Sequence, residues 1–127
     1  MKGVTVDTGV LIGWEKGKPK AAELLEAARR GSVELFVPTV VVAEWWRGGR
    51  THERLLRDVE QAAEIEPLSL AVAKAAAEAM AAVRGATLVD AVVMASAAQR
   101  GDAVYTSDWK DMIALKMHFR TVHVVSL

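Results

Sequence analysis

Apolar and polar positions along the chain switch repeatedly between short β-branched runs and longer stretches with helical spacing. Val4-Thr5-Val6 is such a run, and it leads straight into Asp7 as a buried strand would. Pro19 opens a helix with Ala22, Leu24, Leu25 and Ala28 on its apolar side, and Gly31 stands in the C′ place. Leu35-Phe36-Val37 reads as a second strand. Pro38-Thr39 then starts a helix that runs through Trp46 and stops at Gly48-Gly49. A further helix covers residues 51–64, with Leu55, Leu56, Val59, Ala62 and Ala63 inward, and Ile65 begins a brief strand before Pro67. Ser69 caps an alanine-rich helix that ends near Gly85, and Thr87 begins another that stops at Gly101. Residues 102–105 form a strand, Ser107 or Asp108 caps a short helix, and 121–125 alternate as a last strand.

Short strands separated by helices require crossover connections, hence a parallel sheet with helices on both faces. The expected architecture is α/β, a three-layer α/β/α fold around a mainly parallel central sheet. The small alanine faces at 69–83 and 88–100 predict close packing of those two helices. No repeat, linker or low-complexity segment interrupts residues 1–127, so a single domain is expected.

Composition narrows the chemistry. Apolar residues make up 52% and charged residues 25% of the chain, an ordinary globular balance. The 16 basic and 16 acidic residues cancel, so affinity for a polyanion must come from local patches. The absence of cysteine excludes disulfides, thiolate zinc sites and thiol catalysis. The chain opens without an apolar stretch of signal-peptide length and nothing later is long enough to span a bilayer, so no membrane role and a cytoplasmic location are expected.

In open parallel sheets, ligands bind beyond the carboxyl ends of the strands. Asp7 follows the first strand and Asp108 stands three residues past Tyr105, so two acids reach the same edge by independent routes. Glu44 lies among Val40, Val41, Val42, Ala43, Trp45 and Trp46, where an unpartnered carboxylate would suffer desolvation. Asp90 has a similar setting among Leu88, Val89, Ala91, Val92 and Val93. Four carboxylates converging on one point demand a divalent ion, and an all-oxygen donor set suits Mg²⁺ or Mn²⁺. A calcium loop of the D-x-D-x-D-G kind is absent. Asp7, Asp90 and Asp108 are the expected ligands, with Glu44 completing a second site or orienting the attacking water.

Each acid also has a structural reading. Thr87-x-x-Asp90 fits a capping box, Asp108 an N-cap with Asp111 in the first turn, and Asp7-Thr8-Gly9 an Asx-turn. Thr106 either aims its hydroxyl at the phosphate side or caps the next helix. Arg47, Arg50, His52, Arg54 and Arg57 form a basic run that is a solvated face or a phosphate contact, with Arg47 and Arg50 the expected RNA-binding residues. Trp45 and Trp46 read as one core residue and one partner surface rather than a stacking pair. His118 and His123 leave open a metal-free histidine ribonuclease. A phosphatase with an aspartyl nucleophile needs a second Asp two residues on, where this chain has Gly9.

Together these motifs carry a resemblance. Val6-Asp7-Thr8-Gly9-Val10-Leu11-Ile12 is similar to the opening of PIN domains, and Pro38-Thr39-Val40-Val41-Val42-Ala43-Glu44 resembles their second motif. Asp90-Ala91-Val92-Val93-Met94-Ala95-Ser96-Ala97 and Tyr105-Thr106-Ser107-Asp108-Trp109-Lys110-Asp111-Met112 resemble the third and fourth. In size the chain most resembles VapC-type toxins of toxin–antitoxin pairs. The resemblance implies an Mg²⁺- or Mn²⁺-dependent endoribonuclease, a homodimer, and inhibition by a cognate antitoxin that inserts near the acidic pocket. On it Asp7, Glu44, Asp90 and Asp108 are the family acids, Asp111 matches an acid found in many relatives, and Met112 replaces a frequent aromatic. The alternatives are a non-catalytic binding module of the same fold and the phosphatase.

Overall fold

A computed structural model describes residues 2–127, the side chain of Lys2 excepted. The described chain runs β1 (Lys2–Val6), α1 (Thr8–Glu15), α2 (Pro19–Arg29), β2 (Val33–Pro38), α3 (Thr39–Trp45) and α4 (Arg50–Ala62). It continues with β3 (Ala63–Glu66), α5 (Leu70–Ala82), α6 (Leu88–Arg100), β4 (Ala103–Thr106), α7 (Trp109–Lys116) and β5 (Val124–Ser126). The five strands form one sheet in the order β3-β2-β1-β4-β5, and every pairing is parallel. This is the three-layer α/β/α architecture, with a sheet that is wholly rather than mainly parallel. No helix among the described residues is long and apolar enough to cross a membrane.

Strand order reverses at β1. The chain moves from β1 outward to β2 and β3, then crosses back to place β4 on the other side of β1. Two strands that send their connections opposite ways leave a crevice beyond their carboxyl ends. In register, Val4 and Leu35 share a row, and so do Thr5, Phe36 and Val104. Val4, Val6, Leu35 and Val37 are sealed beneath the helices. Residues 91–97 of α6 are buried without interruption, so this helix lies inside the molecule rather than on it. Alanines let α5 close on α6, with Ala76, Ala79 and Ala91 fully buried, as the small-residue faces predicted.

Two local readings are corrected and one element is added. α1 did not stand out in the sequence because Val10, Leu11, Gly13 and Trp14 are all buried, which erases the amphipathic stripe. On α2, Ala21 faces the core and Ala22 the solvent. α4 ends at Ala62, because Ala63 pairs with Leu35 and extends β3 in from the expected helix.

Beneath the sheet lies a charged knot. Arg100, last residue of α6, donates from Nε to Asp102 Oδ2 at 2.8 Å, from Nη2 to Thr5 Oγ1 at 2.6 Å, and from Nη1 to Glu66. Its guanidinium also lies 3.8 Å over the Phe36 ring. Thr5 donates to Asp102 Oδ2 at 3.1 Å and Ser96 donates to Glu66. A Cβ at Gly3 would overlap the Asp102 carboxylate, so a glycine is needed on β1 for this group to fold in. One cation therefore ties β1, β2, β3 and the start of β4 to α6.

Candidate active site

Asp7 is placed by both its neighbours in sequence and its neighbours in space. As N-cap of α1 it accepts from the Val10 N–H at 3.2 Å through Oδ1, which leaves Oδ2 to take the hydroxyl of Thr106 at the end of β4. Thr106 in turn accepts from the Asp108 N–H at 2.8 Å. This buried threonine thus couples the two strand ends on either side of the crevice, a role broader than either reading of it from sequence. Gly9 is required here, since a Cβ on it would overlap Ser107 Oγ.

The other acids arrive by separate elements. α6 runs antiparallel to the strands, so its first turn lies at their carboxyl edge and brings Asp90 there. The Thr87 hydroxyl caps this helix by accepting from the Asp90 N–H at 3.2 Å. Asp108 occupies the N-cap position of α7, yet its side chain makes no capping hydrogen bond, so the capping explanation for that carboxylate fails. Asp111 lies in the first turn of the same helix.

Their charges act on one another. Burial raises the Asp7 carboxyl above its ordinary value against the pull of Thr106, Val10 and Ser107, and the charge of Asp108 adds to the rise. Asp90 is raised to about 6, first by burial and then by the charges of Asp7, Asp111 and Asp108, with Thr87 opposing. Asp111 is raised by hydrogen bonding to Asp108 and by its charge. Asp7, Asp90, Asp108 and Asp111 thus share one electrostatic environment. They do not form a closed cage: among the described residues, no three His, Asp or Glu side chains are grouped so as to hold an ion as they stand.

Glu44 departs from expectation. It is exposed, because Val41 and Trp45, one helical turn apart, take the buried side of α3 and leave Ala43 and Glu44 outward. Apolar neighbours in sequence are not neighbours in space on a helix, so the desolvation argument for Glu44 does not hold. It reaches the site through Thr8, beside Asp7, whose hydroxyl it accepts. α3 packs against both α1 and α6, the helices that carry Asp7 and Asp90 at their starts.

The basic run also divides. His52 is 4% exposed, stacks 4.0 Å from Trp45 with rings nearly parallel, accepts from the Arg47 N–H at 3.2 Å and pairs with Glu15 at 3.1 Å. It is a core residue that fixes the α3–α4 turn, not a phosphate contact. Arg47 is exposed but leans on Glu15 at 3.3 Å. Arg50 lines a surface hollow of about 410 Å³ with Arg54 and Arg57. Trp45 is buried and Trp46 is 36% exposed, one core residue and one surface residue as expected. His118 and His123 both lie between the end of α7 and the start of β5, toward the amino edge of the sheet and away from Asp7.

The raised Asp90 carboxyl has a consequence for stability. The folded protein holds this proton more tightly than the unfolded chain, so its contribution is complete below the ordinary carboxylate range. It is lost as pH rises through about 6. Asp90→Asn, which mimics the protonated acid, should therefore raise Tm at pH 7.5 in metal-free buffer and change it little at pH 4. Thermal melts across this range check it; a variant less stable than wild type at pH 7.5 contradicts the assigned environment.

Comparison with known proteins agrees with this architecture. The PIN domain family model matches residues 4–115. VapBC2 from Rickettsia felis, solved bound to a DNA fragment from their promoter, matches with a TM-score of 0.74 and 12% identity, covering 98% of each chain. FitAB bound to an IR36 DNA fragment matches with a TM-score of 0.64 and 20% identity, over 97% of this chain and 94% of that one. FitAcB from Neisseria gonorrhoeae matches with a TM-score of 0.65 and 20% identity over 96% of each. At such identities these structures share the fold. No curated protein matches in sequence.

Proposed function

The chain belongs to the PIN domain family, and from that premise we propose that residues 1–127 form a single nuclease domain, a metal-dependent endoribonuclease acting through Asp7, Glu44, Asp90 and Asp108. One observation carries the reading: acids from the β1–α1 junction, α6 and the β4–α7 junction bear on one another at the crevice where strand order reverses. Neighbouring carboxylates, of which Asp7 and Asp90 are raised above their ordinary range, are the donor set a hard divalent cation stabilises, and all offer oxygen.

Asp7, Asp90 and Asp108 would hold Mg²⁺ or Mn²⁺. When bound, the ion supplies Lewis-acid activation of water and of the phosphodiester. Thr106 positions Asp7, and by accepting the Asp108 N–H it fixes the distance between two ligands drawn from different strands. Glu44, turned to solvent beside Thr8, completes a second metal site or orients the attacking water. Asp111, raised by Asp108, adjusts the charge there. Arg47 and Arg50, on the exposed side of the α3–α4 turn, make phosphate contacts.

In biological terms the chain is the toxin of a toxin–antitoxin pair, a cytoplasmic homodimer held inactive by its cognate antitoxin. The resemblance of its motifs to VapC-type toxins and the fold shared with VapBC2 over 98% of each chain support this reading. Exposed Leu70 and Met117, each 77% accessible, and Leu88 leave apolar surface for such partners.

Incubation with labelled single-stranded RNA tests the activity. Cleavage is expected with Mn²⁺ or Mg²⁺ and should vanish with EDTA. Cleavage that persists in EDTA, or none at millimolar ion, points to the non-catalytic module or to different chemistry.

A further inference from the structure

A cavity of about 480 Å³ opens between α1 and the turn into α2, within the usual size for a small-ligand pocket. Its floor is aliphatic: Val10 is buried, Ile12 and Leu127 are half-buried, and Pro19 is exposed at the edge. Behind it α1 and α2 touch closely, since a Cβ on Gly13 would come within 3.1 Å of the Ala21 Cβ. Lys16, Lys18 and Lys20 are exposed on its rim, and among the described residues no acidic side chain lines the cavity. Among the described residues none of the three lysines enters an ion pair.

Position gives this cavity its meaning. It is also lined by Gly9 and Ser107, the residues that touch one another beside Asp7 and next to Asp108. A chain with no net charge therefore sets three free ammonium groups on a cavity that continues to the residues beside its acidic crevice. An aliphatic floor under cationic groups matches one nucleotide, whose base offers an apolar face and whose phosphate offers charge. A bare phosphate would leave the floor unused, and a duplex would not fit a hollow that admits one splayed base.

We propose that this cavity seats the nucleotide next to the cleaved phosphodiester of a single-stranded RNA. The base lies against Val10, Ile12, Pro19 and Leu127, and its phosphate lies among Lys16, Lys18 and Lys20; the assignment rests on the nuclease reading above. Among the described residues the Ser107 hydroxyl is the one uncharged polar side chain on the lining, so base preference at this subsite is weak.

Two variants probe the two halves of the cavity. Lys16→Ala/Lys18→Ala/Lys20→Ala removes the rim, and Ile12→Trp fills the floor; Lys74→Ala on α5 is the charge control. Binding of a fluorescein-labelled six-nucleotide RNA is followed by anisotropy without added metal, and cleavage is assayed in Mn²⁺. The triple variant should bind at least about tenfold more weakly, with a salt dependence flatter by about two log units per log unit of salt. Ile12→Trp should weaken binding with the salt dependence unchanged, and Lys74→Ala should match wild type. Wild type that cleaves, with both variants binding RNA as it does, overturns the cavity assignment alone. Wild type that cleaves no RNA overturns the nuclease reading with it. Variants that keep RNA affinity but lose a protein partner overturn it too, and make the cavity a protein seat.

Discussion

Asp7→Asn should lower Mn²⁺-dependent RNA cleavage by about a thousandfold or more and leave the fold intact. The two halves of that result have different origins. Asparagine keeps an oxygen to accept the Val10 N–H, so the cap of α1 survives. Its amide nitrogen cannot accept the Thr106 hydroxyl, but that hydroxyl can turn to accept from it. Asp7 is 4% exposed and raised by burial, so loss of its charge removes a desolvation cost. What disappears is the anionic ligand at the strand end. Kinetics on a labelled oligonucleotide beside a thermal melt separates the cases: a thousandfold loss with unchanged or higher Tm supports the reading, and wild-type turnover refutes the assigned role of Asp7.

The largest expected stability effect lies elsewhere. Arg100→Ala should cost about 3 kcal/mol, the lower part of the range for breaking a buried ion pair from one side. The lower part applies because the Glu66 side chain retains 27% of its exposure, whereas that of Asp102 retains 7%. Removal of the guanidinium leaves two carboxylates facing the sheet and strips the cation from the Phe36 ring. A drop of roughly 10 °C in Tm follows for a chain of this length. Adding Glu66→Gln and Asp102→Asn to the variant should recover part of the loss, since the uncompensated charges are its main source. Denaturant unfolding of both proteins measures this; an Arg100→Ala variant within about 0.5 kcal/mol of wild type would mean the knot is a surface feature.

These two predictions draw on different levels of the sequence. Strand-end acids are legible locally: β-branched runs mark β1 and β4, and the residues after them fall at the carboxyl edge of any parallel sheet. Asp90 is legible as well, because Thr87 starts its helix. The strand order was not, since nothing in one sequence states which strands pair, and the reversal at β1 emerges only from packing. The charged knot is not legible, because Glu66, Arg100 and Asp102 are ordinary polar residues until a glycine at position 3 and the crossing of α6 bring them together. α1 was hidden for the opposite reason, being apolar on too many sides to show a period. Glu44 and His52 exchange roles: the acid among valines faces solvent, and the histidine in a basic run is buried on Trp45. In both cases the deciding fact was which way a side chain leaves its helix, which sequence neighbours do not report.

Manganese titration of the metal-free protein, followed by EPR of the free ion, tests most directly whether the carboxylates that follow β1 and β4 and open α6 act as one site. The prediction is binding at or below about millimolar Mn²⁺ at pH 7.5 that weakens as pH falls through about 6, where a proton competes at Asp90. Asp7→Asn, Asp90→Asn and Asp108→Asn should each weaken it at least about tenfold. No binding at millimolar ion, or three variants that each bind as wild type does, would show that these acids do not share a cation.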